Sequence, residues 1–219
     1  MKKDARSTAD KPIRSPLEGL PPRQRRILEA AYAVLVERGY AGASTLEIAR
    51  RARVSKRELY AEFGSKAGIL RALIATTASR MHLPLDVAEI RDRAQVASAL
   101  TQYGKAALRE LSSPAVLAIQ RLAIAEAGQS SELGSILDQE GREPNRRALT
   151  DVMARAQAAG VLGTTDPGLM AGQFFSLLMG DLMNRLLLGV ASRSGPKEIA
   201  RRAQAATAAL LALHARRHL

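Results

Sequence analysis

Residues 44–63 read STLEIARRARVSKRELYAEF, and this pattern predicts two short helices joined by a tight turn. Ser44 is followed by Glu47 at the spacing of a capping box, so we expect the first helix to cover residues 45–52. The second helix is expected over residues 56–63. Two helices in this arrangement are typical of a helix-turn-helix unit, whose second helix can enter a major groove.

The sequence on either side predicts two longer helices. One begins near Pro22, because proline suits the first turn of a helix, and it stops at Gly39. The other is capped by Ser65 and runs from Lys66 to about Arg80. The order of long, short, short and long helices, from Pro22 to about Arg80, fits a compact helical domain, which we call the head.

Beyond this head the chain is expected to be helical to its end. The breaks are expected near residues 112–114, 128–131, 141–144, 160–167 and 189–196. The composition agrees, since only 3% of the residues are aromatic and Ala, Leu and Arg are abundant. We therefore expect an all-α fold.

The composition excludes several classes of protein. The 219 residues include no Cys, so a disulfide scaffold, a thiolate metal site and a cysteine nucleophile are excluded. The three histidines are His82, His214 and His218. The last two are spaced as a metal clamp, but no carboxylate lies beside them, and a frayed basic tail is the simpler interpretation. We predict no metal, no cofactor and no enzymatic activity, since the sequence contains no GxGxxG, Walker, GxSxG or HExxH motif.

The charge of the chain points to a polyanionic partner. The formal net charge is +12, and residues 1–66 alone carry 15 Lys+Arg and 8 Asp+Glu, a net charge of +7. Such a field attracts nucleic acid first and an anionic membrane surface second. Residues 1–20 are basic and broken by prolines, which favours a disordered arm over a secretory signal. The apolar stretch 169–190 contains polar groups, so we interpret it as a buried helix of a cytoplasmic protein without a membrane partner.

The start of the second short helix carries the donors that DNA requires. Lys56 and Arg57 could reach guanine edges, and the helix amides favour phosphate at the same end. On their own, these two charges are better explained as part of an ordinary solvated surface.

Longer motifs make the interpretation specific. ILEAA, the ERGY loop, STLEIA, VSKRELYAEF and the SK that opens the next helix resemble the DNA-binding domain of the tetracycline-repressor (TetR) family over about fifty residues. RLAIAEA and GDLMNRLLLG resemble the AefR-like type of C-terminal domain. The resemblance implies a three-helix helix-turn-helix DNA-binding domain over residues 21–81, with its motif at 44–63. A larger helical domain for effector binding and dimerisation would follow over residues 82–219.

The resemblance also implies a set of DNA contacts. Phosphate, base-edge and backbone contacts would come from Ser44, Thr45, Ser55, Lys56, Arg57, Tyr60 and Lys66. Structural alternatives exist, because Ser44 could serve only as a cap and Tyr60 only as a packing residue. Two positions depart from the family pattern: Arg53 replaces a turn glycine, and Glu62 stands where a His or aromatic residue is frequent.

The implied function is that of a dimeric repressor, which a small hydrophobic or amphipathic effector releases from a palindromic operator on double-stranded DNA. An architectural DNA-binding protein without an effector, and less so a small helical enzyme, are the alternatives. The expected effector-binding residues are Leu117, Arg121, Met153, Phe174 and Leu178. A heptad seam and two glycines are the expected homodimer interface, namely Gly172, Gly180, Ile199, Ala203, Ala206, Leu210 and Leu213. These helices could instead form only the core of one protomer.

Overall fold

A computed structural model describes residue 17 and residues 19–85 and 90–216. Helices form nearly all the regular structure of this part of the chain, and its one β-type contact is an isolated bridge between Leu162 and Ala215. The predicted all-α fold is confirmed.

Four helices form the N-terminal head. They are α1 (Pro22–Gly42), α2 (Thr45–Ala52), α3 (Lys56–Phe63) and α4 (Lys66–His82). The backbone at Gly39 leaves helical geometry, with φ of 73° and ψ of 172°, so α1 is sharply kinked at the residue where the sequence predicts its end.

Seven helices and two irregular turns follow. A 3-10 turn (Leu83–Leu85) leads to α5 (Arg93–Leu111), α6 (Pro114–Glu126) and α7 (Glu132–Ile136). A π-helix (Leu137–Arg142) runs into α8 (Glu143–Ala158), and α9 (Pro167–Met179), α10 (Leu182–Leu187) and α11 (Pro196–Leu213) complete the described chain.

Two hydrophobic cores are joined by α4. Its first half, including Ile69 and Leu73, packs into the core of the head together with Ile119 of α6 and Ile136 of α7. Its second half, including Met81, packs into the core of the C-terminal helices. The head is therefore packed directly against α6 and α7, and α4 connects it to the rest of the molecule.

The expected capping box at the start of α2 is wrong. Ser44 Oγ accepts a hydrogen bond from Leu46 N at 3.2 Å, whereas Glu47 accepts from Arg51 at 2.6 Å. Glu47 does not reach back to the cap because a cation one helical turn further on offers a stronger partner.

The apolar stretch near the C-terminus is also not one helix. At Gly180 the backbone adopts φ of 49° and ψ of −129°, which separates α9 from α10. Only glycine adopts this conformation readily, so a continuous apolar pattern concealed the break.

The expected N-terminal arm falls largely on residues 1–16 and 18, which lie outside the described residues. The residues at the end of this arm that the structure describes are packed against the head. Leu17 is buried in the core of the head, and Leu20 packs against the same core.

The expected dimer seam is mostly the core of one protomer. Ile199, Ala203, Ala206 and Leu210 are buried between α11 and the neighbouring helices. A Cβ added at Gly104 of α5 would lie 3.1 Å from Ala203 Cβ, so Gly104 allows the close approach of α5 and α11. Leu213, Gly172 and Gly180 are exposed.

Candidate functional site

The start of α3 is held by a capping box at Ser55. Glu58 N donates to Ser55 Oγ at 3.1 Å, and Ser55 N and Oγ donate to Glu58 Oε2 at 2.8 and 2.7 Å. These bonds, first the one from the Ser55 amide, lower the pKa of the Glu58 carboxyl. Ser55, expected to contact DNA, thus uses its N–H and its hydroxyl proton to fix the first turn of α3.

Three expected DNA-contacting residues come together on an outer face of α2 and α3. The Tyr60 hydroxyl lies 3.1 Å from Thr45 Oγ1, and Lys56 Nζ lies 5.6 Å from the centroid of the Tyr60 ring. Lys56, Arg57 and Tyr60 are exposed, while Leu59 on the opposite side of α3 is fully buried. The burial of Leu59 orients α3, so its cationic side faces outward.

The turn between α2 and α3 has a left-handed residue at its centre. Arg53 has φ of 55° and ψ of 48°, and the Val54 N–H closes the end of α2 on the Ala49 carbonyl at 3.1 Å. This is the geometry that favours glycine. Arg53 therefore has a positive φ at the position where the family pattern usually has glycine, a point that the sequence leaves open.

Lys66 makes contacts inside the head. Its Nζ donates to the Tyr40 carbonyl at 2.8 Å and lies 4.3 Å from the centroid of the Tyr40 ring. In this conformation Lys66 ties the start of α4 to the last residues of α1, which follow its kink.

Glu62 has a structural role within the head. Its carboxylate accepts hydrogen bonds from Gln24 and, at 2.9 Å, from Arg23 Nη2. The Gln24 bond, followed by the Arg23 contact, lowers the pKa of Glu62. Glu62 therefore links α1 to α3, which accounts for a carboxylate on this part of a basic head.

A joint between α6 and the head was not foreseen from the sequence. Glu126 Oε1 accepts from Tyr40 N at 2.9 Å and from Ala41 N at 3.4 Å. Burial, followed by a hydrogen bond with Glu132, raises the pKa of Tyr40 to about 12. Because more than eighty residues separate Glu126 from Tyr40, no local sequence pattern connects them.

A cavity of about 1300 Å³ is lined in part by α6, the helix that ends at Glu126. Its wall is built mainly from α4, α5, α6, α8, α9 and the π-helix, and includes Ile74, Tyr103, Val116, Asn145 and Phe175. Most of these side chains are apolar, as is usual for small-molecule sites.

None of the residues expected to bind an effector lines this cavity. Leu117, Met153, Phe174 and Leu178 are buried in the C-terminal core. Arg121 is exposed and donates to the carbonyls of Leu186 and Leu187, at 2.6 and 2.8 Å. The expected set is wrong for this cavity because apolar helix positions do not distinguish a side chain packed in a core from one that borders a void.

His214 is not part of a frayed tail. It is 7% exposed, and its ring nitrogens lie 2.6 Å from Gln173 Oε1 and 3.2 Å from Thr165 Oγ1. His218 lies outside the described residues, and no cluster of metal-binding side chains occurs in the described ranges. None of the helices within those ranges is long and apolar enough to cross a bilayer.

Comparison with known proteins places the head and the C-terminal helices in one family. The profile of bacterial regulatory proteins of the tetR family matches residues 27–73, and that of the AefR-like transcriptional repressor C-terminal domain matches residues 98–216. The uncharacterised HTH-type transcriptional regulator YvkB of Bacillus subtilis (strain 168) is 28% identical over 177 residues, which are 81% of this chain and 90% of that protein.

Solved structures agree with these matches. A TetR transcriptional regulator from Agrobacterium tumefaciens is 31% identical, with a TM-score of 0.72 over 90% of this chain and 96% of that one. The flavonoid-responsive regulator FrrA is 28% identical, with a TM-score of 0.71 over 90% of this chain and 98% of that one. With its helix-turn-helix head and AefR-like C-terminal domain, the chain belongs to the TetR family of bacterial transcriptional regulators.

Proposed function

We propose that the protein is a homodimeric repressor that binds a palindromic operator through α3 and is released by a small, largely apolar effector. Residues 21–81 would form the DNA-reading head, and residues 82–219 would bind the effector and the second protomer. The observation that carries the proposal is the exposed cationic face of α3, which is supported from behind by the buried Leu59.

The proposed contacts divide by chemistry. Lys56 and Arg57 would reach base edges or phosphate, since both are exposed at the start of α3. The hydroxyls of Thr45 and Tyr60 are hydrogen-bonded to each other, so one of them would donate to phosphate while that bond is kept, and both would donate only if it breaks. Ser44 accepts a bond as a cap, and its hydroxyl proton remains available to a phosphate.

Ser55 and Lys66 would take different parts. Because both donors of Ser55 are engaged by Glu58, its role would be to position α3. Lys66 would have to exchange the Tyr40 carbonyl for a phosphate oxygen.

A direct test is to select bound sites from random duplex DNA and then measure affinity against salt concentration. A palindrome should emerge, with half-sites about one helical turn apart. Lys66→Ala should weaken binding to every duplex and reduce the salt slope by about 1, while Lys105→Ala in α5 should leave the slope unchanged. A selection without any enriched sequence would contradict a sequence-specific regulator.

The effector proposal rests on the cavity. Its volume of about 1300 Å³ and its largely apolar wall suit a drug-sized apolar molecule, which supports a ligand-controlled regulator over an architectural DNA-binding protein. The similar regulator FrrA is described as flavonoid-responsive, in agreement with a small organic effector. Release from DNA would require that the effector bind the DNA-incompetent state more tightly.

The homodimer proposal rests on the outward faces of α9 and α11. The side of α11 opposite the protomer core carries Ala205, Ala208 and Ala212, whereas a solvated helix face is normally rich in charged residues. The neighbouring α9 exposes Leu169 and Phe175, at 53% and 39%, and both residues also line the cavity, which therefore borders this face. Small and apolar residues on two adjacent helices would let the same pair from a second protomer pack closely against them.

A further inference from the structure

The cavity wall contains a fully enclosed polar atom that has no hydrogen-bond partner. Asn145 of α8 lines the cavity and is 6% exposed, and its Oδ1 has no hydrogen-bond partner. It is the one fully enclosed side-chain nitrogen or oxygen without a partner in the described part of the chain. A buried acceptor left unsatisfied costs free energy, so a donor supplied from the cavity would be favoured there.

The orientation of the Asn145 amide is fixed by its other end. Nδ2 donates to the Gly141 carbonyl at 2.8 Å and points to the Ala78 carbonyl at 3.5 Å. Turning the amide over would place Oδ1 against these two carbonyl oxygens. Oδ1 is therefore held as an acceptor.

The Asn145 amide sits at an unusual backbone feature. The π-helix (Leu137–Arg142) ends one residue before α8, and Gly141 within it packs so closely on α4 that an added Cβ would lie 3.2 Å from Ile74 Cγ2. Single π-helical turns are rare and are frequently found at functional sites. Because Leu137, Gly141 and Asn145 all line the cavity, this irregular segment forms part of its wall.

A second polar group borders the same cavity. Tyr103 of α5 is 1% exposed, and its ring packs against Phe174 at a centroid distance of 6.1 Å. None of the described residues forms a hydrogen bond with its hydroxyl. Burial raises the pKa of Tyr103, so the hydroxyl stays protonated and can both donate and accept.

Three of the four charged residues that line the cavity already have an ionic partner, and Glu29 is the fourth. Arg146 binds Glu143 through two hydrogen bonds of 2.8 and 2.9 Å, and Arg142 lies 3.6 Å from Asp138. Glu29 is exposed at the surface. An ionic ligand group that binds Arg142, Asp138 or Arg146 would have to displace one of these partners, whereas a neutral donor would complete Asn145 without breaking any of them.

We propose that the effector is a neutral, mainly apolar molecule bearing a hydroxyl group that donates to Asn145 Oδ1. This inference rests on the proposed effector function of the cavity and specifies the chemistry of its ligand. Because Oδ1 is fully enclosed, the Asn145 side chain would have to shift before a ligand in the cavity could donate to it.

The test compares two probes that differ in one donor. The probes are a flavone with a hydroxyl at the para position of its pendant ring and the methyl ether of the same flavone, titrated into the full-length protein by calorimetry. The hydroxyflavone should bind at least about fivefold more tightly, as expected for one buried hydrogen bond. In Asn145→Leu this preference should fall to within about twofold.

Thr77→Val is the matched control. Thr77 also lines the cavity, but its hydroxyl already donates to the Leu73 carbonyl at 3.2 Å within α4. The variant should therefore keep the full preference for the hydroxyflavone. Circular dichroism would establish that Asn145→Leu folds, and if it does not, the affinity ratio of the wild-type protein decides the question.

Equal affinity of the two probes for the wild-type protein would overturn the proposal while leaving an effector cavity in place. Failure of both probes to bind would overturn it as well. A failure of the proposed function would be distinguishable, because selection from random DNA on the same preparation would then yield no operator. Preference for the ether in the wild-type protein would also contradict a donor-bearing ligand.

Discussion

Arg53 has a backbone conformation that favours glycine, although it carries a long side chain. Among the described residues it is the one non-glycine with positive φ, and it occupies the turn on which the separation of α2 and α3 depends. A side chain in the left-handed region costs on the order of 1 kcal/mol. We expect Arg53→Gly to raise the free energy of unfolding by about 0.5–1 kcal/mol, measured by urea denaturation.

The opposite substitution at Gly64, from glycine to a residue with a side chain, provides the control. It has φ of 71° and no neighbour within 4 Å of an added Cβ, so backbone strain is the principal cost of a side chain there. Gly64→Ala should destabilise the protein by about 1 kcal/mol. If Arg53→Gly instead destabilises the protein, the Arg53 side chain makes contacts that outweigh its strain.

The same substitution tests a role in DNA binding. If the Arg53 guanidinium neutralises a phosphate, Arg53→Gly should lower the salt slope of operator binding by about 1, and Arg53→Lys should preserve it. If both variants keep the salt slope of the wild-type protein, Arg53 contacts no phosphate and acts only in the turn.

At the residue scale, the sequence predicts which side chains could act but not what they bind. The Ser-x-x-Glu spacing occurs at both Ser44 and Ser55, and only Ser55 forms the complete capping box. The difference arises because Glu47 has Arg51 one turn further along α2 as a competing partner. Such competition depends on three-dimensional distances, so spacing alone does not resolve it.

At the scale of elements, Glu126 at the end of α6 is expected to hold the head. Its carboxylate accepts hydrogen bonds from the backbone amides of Tyr40 and Ala41, which follow the kink of α1. Glu126→Ala should lower the free energy of unfolding by about 1–2 kcal/mol. It should also speed hydrogen exchange at the Tyr40 and Ala41 amides more than elsewhere.

Glu126→Gln should have a smaller effect, since an amide oxygen still accepts but carries no charge. Exchange at Tyr40 and Ala41 that is unchanged in Glu126→Ala would show that α6 does not fix this segment. Residues of α6 such as Val116 and Ile119 line the cavity, so the element that would sense a ligand is the one that touches the head.

The ion pairs in the first turn of α8 should make the stability of the protein depend on pH in the acid range. Hydrogen bonds from Arg146 and then Arg147 lower the pKa of the Glu143 carboxyl to about 2, from an ordinary value of 4.5. A lowered carboxyl pKa means that the stabilisation is present above pH 4.5 and is lost as the pH falls towards 2.

The melting temperature of Glu143→Gln should therefore lie below that of the wild-type protein at neutral pH. Since these ion pairs are exposed, the difference should be a few degrees at most. It should shrink as the pH falls below about 4.5. A difference that stays constant down to pH 3, measured by circular dichroism, would mean that the ion pairs do not form in solution.

At the scale of the whole molecule, the sequence predicts the helices and the head better than the way the C-terminal helices are arranged. The motif at 44–63 is local, so its two helices lie where the pattern indicates. The heptad positions of α11 correctly identify a buried face, but they do not say which helix covers it. The structure fills that face with α5 of the same protomer, and Gly104 rather than Gly172 provides the close approach.

The burial of this face decides which residues of α11 can be used to test dimerisation. Leu210 is fully buried, so a charge there would unfold the protomer rather than separate two copies. A test of the interface must use the opposite side of α11, where Ala208 and Ala212 are exposed.

Replacing Ala208 and Ala212 together with Glu should produce folded monomers, because carboxylates of the two protomers would be forced together in an apolar contact. Light scattering after size exclusion should give the mass of one chain, 23.5 kDa, and affinity for the palindrome should drop sharply while circular dichroism stays unchanged. Val36→Glu is the control, since Val36 is an exposed apolar residue of the head, and it should leave the protein dimeric. A double variant that still runs as a dimer would move the interface away from α11, and the unusual run of exposed alanines would then need another explanation.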